Sequence, residues 1–147
     1  MIYFDAAYIA KCYLNEPGAE RVRAMARTAE GLASCEWGRL EFASIVHRHR
    51  REGHLTLRAN RGVFDDLAED EASGVWHWLP VTSVLLERTF ARIRELPRNA
   101  SARAGDAVHL AAASEHGYRE IYTNDRHMLA SAHYFGLAGI DVLKRPG

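Results

Sequence analysis

The sequence predicts an α/β fold in which a mostly parallel sheet is covered by helices on both faces. Three observations carry this. Short apolar runs alternate along the chain with stretches of helical periodicity, the signature of strand–helix–strand units. The chain has 147 residues, which suits a single domain with its own core, so 1–147 is expected to be one domain. No internal repeat, low-complexity segment or long Pro/Gly/Ser linker divides it.

The elements follow in order. Ile2 to Asp5 reads as a short first strand and Ala6 to Leu14 as a helix. Asn15-Glu16-Pro17-Gly18 is a turn, because Gly and Pro punctuate and Pro is tolerated near a helix start. Ala19 to Ala29 is a helix stopped by Gly31, Leu32 to Cys35 a second strand, and Trp37 to Arg51 a helix stopped by Gly53. Leu55 to Ala72 has a helical period through Leu57, Val63, Phe64 and Leu67, and Gly74 closes it. Val75 to Val81 alternates as a strand, with Trp76 and Trp78 on one side for core packing and His77 on the other. Thr82 or Ser83 caps a helix to about Leu96, which Pro97 ends. Ala104 to His116 is an alanine-rich helix, Glu120 to Thr123 a strand, Arg126 to Phe135 a helix, and Gly139 to Leu143 a last strand.

Composition limits the function classes. Nineteen Lys and Arg balance 19 Asp and Glu, and 48% of residues are hydrophobic, so neither a disordered charged tail nor a uniformly basic protein is described. All the basic residues except Lys11 and Lys144 are arginine, the side chain whose planar fork suits phosphate. No apolar run approaches the ~20 residues of a membrane span. The start Met-Ile-Tyr-Phe-Asp lacks the basic region of a signal peptide. Cys12 and Cys35 have neither metal spacing nor a disulfide framework, which fits a cytoplasmic location.

Four acids stand where structure alone does not require them. Asp5 and Asp125 follow apolar runs, at the carboxyl ends of predicted strands, where parallel sheets carry their sites. Each also suits an N-cap. Glu41 falls on the stripe Trp37, Leu40, Ser44, Ile45, taken as core-facing, where an acid costs several kcal/mol unless paired or metal-bound. Asp106 opens the alanine-rich helix and shares a face with His109, Leu110 and Ala113; it also suits the helix dipole. Carboxylates gathered in one crevice repel one another, and a divalent cation relieves this. Oxygen ligands without His or Cys spacing point to Mg²⁺ or Mn²⁺ rather than Zn²⁺.

At these residues the chain resembles a known family. Ile-Tyr-Phe-Asp5 through Asn-Glu-Pro-Gly18, Arg39-Leu40-Glu41, Arg103-Ala-Gly-Asp106-Ala-Val-His109 and Tyr122-Thr123-Asn124-Asp125 are similar, in order, to the four acidic segments of PIN-domain ribonucleases of the VapC toxin type. The resemblance spans the whole chain. It implies a three-layer α/β/α sandwich, an acid-lined Mg²⁺ or Mn²⁺ site that cuts RNA, a cognate VapB-like antitoxin and a homodimer. Products would carry a 5′-phosphate and a 3′-hydroxyl, and tRNA or another structured RNA is the expected substrate. Two departures stand out: Ala6 and Ala7 follow the first Asp where many relatives carry a hydroxyl, and Cys35-Glu36 occupies a stretch where a Ser is common.

On this reading Asp5, Asp106 and Asp125 hold the metal, and Glu41 holds a second ion or orients the attacking water. Thr123 and Asn124 support the site by hydrogen bonds. His109 is either a proton donor or metal ligand, or a packed histidine beneath the site. Arg103 either meets a substrate phosphate or balances the acids at rest. The basic run His47 to Arg51 either faces RNA or pairs with Asp65, Asp66, Glu69, Asp70 and Glu71 on the next helix. Tyr8, Tyr13 and Leu14 are candidates for a dimer or antitoxin groove. An aspartyl phosphotransferase needs a second Asp at position 7, which is Ala, and no Gly-rich phosphate loop is present. The remaining alternative is a PIN-like domain that binds RNA or protein without cutting.

Overall fold

The computed structural model describes residues 1–145. Five short strands, β1 (Ile2–Tyr3), β2 (Leu32–Cys35), β3 (Trp76–Leu79), β4 (Glu120–Tyr122) and β5 (Ala138–Ile140), pair only in parallel. β1, β2 and β3 form one set, with β2 in the middle, and β4 pairs with β5. The two sets meet at a single parallel bridge between Phe4 and Tyr122, beside which the Asp5 N–H donates to the Tyr122 carbonyl at 3.2 Å.

Alternation along the strands sends successive side chains to opposite faces and so builds two cores. Tyr3, Ala33, Cys35, Leu79 and Ile121 pack under α5 (Ser83–Arg94), α6 (Ala104–Glu115), α7 (Arg126–Ser131) and a 3-10 turn (Ala132–Phe135). Phe4, Leu32, Trp76 and Tyr122 pack under α1 (Ala6–Tyr13), α2 (Ala19–Thr28), α3 (Glu36–Arg51) and α4 (Leu57–Ala72). This is the three-layer α/β/α sandwich expected from the sequence. No helix among the described residues is long and apolar enough to cross a membrane.

Element ends follow local chemistry. The first strand is shorter than expected because Asp5 leaves the ladder to cap α1, its carboxylate accepting from the Tyr8 N–H at 2.9 Å. α4 begins at Leu57 rather than Leu55 because the Thr56 hydroxyl accepts from the Ala59 N–H at 3.1 Å. β3 stops at Leu79, since Pro80 has no N–H to offer the ladder. The last strand ends at Ile140 because the Asp141 carboxylate turns the chain, accepting from the Leu143 N–H at 2.9 Å.

Three side-chain expectations are corrected. The core face of α3 is Gly38, Phe42 and Val46, spaced i, i+4, i+8; Trp37 and Leu40 are exposed instead. Tyr8 and Leu14 are buried and unavailable to a partner; the Tyr8 hydroxyl donates to Asp141. The His47–Arg51 run does not pair with the acids of α4 among the described residues. His49 lies 3.6 Å from Glu16, Glu71 holds Arg39, and Asp70 accepts from the Tyr13 hydroxyl.

Candidate active site

The carboxyl ends of β1 and β4 and the facing parts of α3 and α6 enclose an open cleft of about 910 Å³. Asp5, Glu41, Asp106 and Asp125 all line it, together with Arg103, His109 and Asn124. Four acids from four distant segments share one cleft because two leave strand ends on the same edge of a parallel sheet. The other two sit on helices that flank that edge.

Asp5 is the most enclosed, at 3% exposure. The Thr123 hydroxyl donates to its second carboxylate oxygen at 2.5 Å, while the Tyr8 N–H holds the first. Burial dominates and pushes the Asp5 pKa up from 3.8 to about 6, although the Thr123 and Tyr8 hydrogen bonds pull the other way. Thr123 also accepts from the Asp125 N–H at 2.9 Å, so one buried hydroxyl ties the end of β1 to the end of β4.

Asp125 caps α7, accepting from the N–H groups of His127 at 2.8 Å and Met128 at 3.0 Å. Burial raises its pKa, but the Met128 N–H and the Arg103 guanidinium outweigh this and hold the carboxyl below its usual range. Arg103 forks between two acids, donating from Nε to Asp106 at 2.7 Å and from Nη2 to Asp125 at 2.5 Å. Its side chain is 54% exposed, so the bridge can open toward solvent.

Glu41 faces the cleft rather than the core. His109, fully enclosed on α6, donates from Nε2 to the Glu41 carboxylate at 2.6 Å. Its Nδ1 lies 2.9 Å from the Tyr3 hydroxyl and 3.7 Å from the Cys35 sulfur. Burial opposes charge on this ring, yet the Cys35 sulfur and the Glu41 carboxylate overcome it and raise the His109 pKa. His109 is thus packed and hydrogen-bonded at the floor of the cleft, with its Nε2 against Glu41. Two glycines make room for the arrangement. A Cβ on Gly38 would stand 2.5 Å from the Ser34 hydroxyl and 2.7 Å from the His109 ring, and one on Gly105 would stand 2.9 Å from the Trp37 indole nitrogen.

Among the described residues, no three Asp, Glu, His or Cys side chains stand close enough together to grip one metal ion as placed. Each acid has a protein partner instead: Thr123 for Asp5, Arg103 for Asp106 and Asp125, His109 for Glu41. The donor set nevertheless fits a hard divalent cation, because all four acids offer oxygen and two already share a cationic guanidinium. Tyr3, Cys35, Gly38, Gly105 and Arg126 join the site without having been singled out for it by the sequence, whereas Arg48, from the basic run, lies on the cleft wall. Gly105 adjoins Asp106 and was the most accessible of these from sequence; Tyr3 carries no local signal.

Fold and cleft together define an α/β/α protein with a carboxylate-lined site at the carboxyl edge of a parallel sheet. The family model for the PIN domain matches residues 2–133, and the chain belongs to that family, as its four acidic segments suggested. Two solved structures share the fold. One is the crystal structure of Mycobacterium tuberculosis VapC20, described as a sarcin–ricin loop cleaving toxin. It has 18% identity and a TM-score of 0.68 over 89% of this chain and 95% of that one. The other is FitAB bound to an IR36 DNA fragment, with 17% identity and a TM-score of 0.60 over 100% of this chain and 99% of that one. A search of curated protein sequences finds no match.

Proposed function

We propose that the whole chain is a single PIN domain acting as a Mg²⁺- or Mn²⁺-dependent endoribonuclease. We further propose that it is the toxin of a cytoplasmic toxin–antitoxin pair, homodimeric and blocked by a VapB-like antitoxin. The observation that carries the nuclease reading is the meeting of Asp5, Glu41, Asp106 and Asp125 in one cleft. The toxin reading is supported by fold likeness to VapC20 and to the FitAB assembly.

Asp5, Asp106 and Asp125 would hold the ion, with Glu41 at its edge. Asp5 fits this role because its buried charge is disfavoured until a cation arrives. When bound, the ion lowers the pKa of an attacking water and offsets charge on the scissile phosphate. Glu41 orients that water: His109 occupies its Oε1, leaving Oε2 without a protein partner among the described residues. Thr123 sets the separation of Asp5 and Asp125, and Asn124 lines the same cleft. Arg103 leaves its acids to meet a substrate phosphate, so the charge it neutralises at rest becomes available to the ion.

The test is cleavage of a panel of tRNA, ribosomal and single-stranded RNAs with Mg²⁺ or Mn²⁺ against EDTA. The purified protein should cut only with metal, and Asp106→Asn should bind metal poorly and cut nothing while melting cooperatively. Full activity of Asp106→Asn sinks the assignment. RNA binding without cleavage under every metal would favour the non-cutting alternative, which the Arg103 bridge across two of the acids also suits. For the toxin reading, growth arrest on expression should vanish in Asp5→Asn and be relieved by an antitoxin encoded beside the gene.

A further inference from the structure

One wall of the cleft is chemically unlike the acids opposite it. Trp37 and Leu40 are 39% and 59% exposed, yet both line the cleft, as does Arg48 further along the same face of α3. The core face of this helix is complete without them, in Gly38, Phe42 and Val46. Gly105 lets the indole edge approach the start of α6 closely, which fixes the ring at the rim of the site. Arg103 and Arg39 are committed to carboxylates, but Arg48 and Arg126, in the same cleft, have no carboxylate within 4.0 Å among the described residues. The stripe from Trp37 to Arg48 runs about 16 Å along the helix. A chain laid along it passes an aromatic and aliphatic surface, then Glu41, then an unpaired guanidinium.

We propose that this wall is a nucleotide subsite: a base beside the scissile phosphate stacks on Trp37 against Leu40, and Arg48 pairs with a phosphate further along the same strand. Stacking on an aromatic ring requires an unpaired, splayed-out base, so the substrate at the cut is single-stranded. Unpaired guanidiniums favour a polyanion over an apolar peptide on this face, because a peptide would leave Arg48 and Arg126 without counter-charge. The assignment rests on the nuclease reading of the cleft.

The test is fluorescence anisotropy with a labelled single-stranded adenylate RNA of about 12 nucleotides, in Ca²⁺ to hold cleavage back, beside kcat and KM for cleavage in Mg²⁺. Trp37→Leu should weaken RNA binding about 5- to 100-fold and raise KM more than it lowers kcat, whereas Trp37→Phe should keep most of the affinity. Removing one base from the RNA at the stacked position should reproduce the Trp37→Leu loss and add nothing to it. Arg48→Ala should lower the slope of log affinity against log salt by about 0.7. Equal melting temperatures of the Leu and Phe variants show that folding is not the cause. Unchanged RNA affinity in Trp37→Leu overturns the proposal. A wild-type protein that shows this binding pattern but never cuts would leave the subsite standing and end the nuclease reading instead.

Discussion

Replacing Asp5 by Asn should stabilise the metal-free protein at neutral and alkaline pH while abolishing its activity. Asp5 is 3% exposed, and its pKa rises from an ordinary 3.8 to about 6. At about 1.4 kcal/mol per pH unit, the charged carboxylate costs the native state about 3 kcal/mol well above pH 6. Between those two values the native state binds the proton more tightly than the unfolded chain. Stability therefore falls as pH rises through about 4 to 6 and levels off above. Asparagine removes the charge but has one acceptor for two donors, the Tyr8 N–H and the Thr123 hydroxyl, which costs about 1 kcal/mol. The net gain should be about 2 kcal/mol at pH 8 and close to nothing at pH 4. Urea unfolding of both proteins in EDTA, followed by circular dichroism at each pH, measures it. Adding Mg²⁺ should reverse the order, because only the wild type gains from ligand binding to the folded state. A variant that is no more stable at pH 8, or whose advantage does not change with pH, would refute the reasoning.

Other perturbations separate the parts of the site. Arg103→Ala removes an exposed bridge and should change stability by less than about 1 kcal/mol. It should tighten Mn²⁺ binding in calorimetry by freeing Asp106 and Asp125; equal or weaker binding contradicts the bridge as a competitor of the ion. His109→Ala leaves the Tyr3 hydroxyl and Glu41 without their partner and should cost about 2–4 kcal/mol in denaturant unfolding. Gly38→Ala should cost about 1–3 kcal/mol and slow cleavage, since its methyl would stand under 3 Å from two buried neighbours, Ser34 and His109. A Gly38→Ala protein with wild-type melting and turnover would show that the pocket around His109 is looser than its distances imply.

The layered fold and the positions of the four acids were legible in the sequence because both depend on local pattern. A strand-end Asp is marked by the apolar run before it and by the helix it caps after it, as at Asp5 and Asp125. The reading failed where several spacings compete on one helix. Along α3, the set Trp37, Leu40, Ser44, Ile45 and the set Gly38, Phe42, Val46 both recur with helical period, and hydrophobicity alone favours the wrong one. The second wins because Gly38 allows His109 and Ser34 to come close, a tertiary fact with no trace in the local sequence. Tyr3 and His109 are 106 residues apart, so their contact was beyond any reading of spacing. The charged hairpin expected of α3 and α4 failed for a similar reason: Glu71 is claimed by Arg39 and Trp78, and Asp70 by Tyr13.

The junction between the two strand sets governs when the cleft comes into being. The Phe4–Tyr122 bridge, its neighbouring hydrogen bond and the bond from the Thr123 hydroxyl to Asp5 join them, and Thr123 lies 118 residues beyond Asp5 in the chain. During synthesis, a nascent chain that has grown only to the end of α6 still lacks Thr123 and Asp125. Closing so long a loop is slow compared with local helix formation. The cleft therefore takes shape only once β4 has been made and docked beside β1, later than the helices α1 and α3 that flank it.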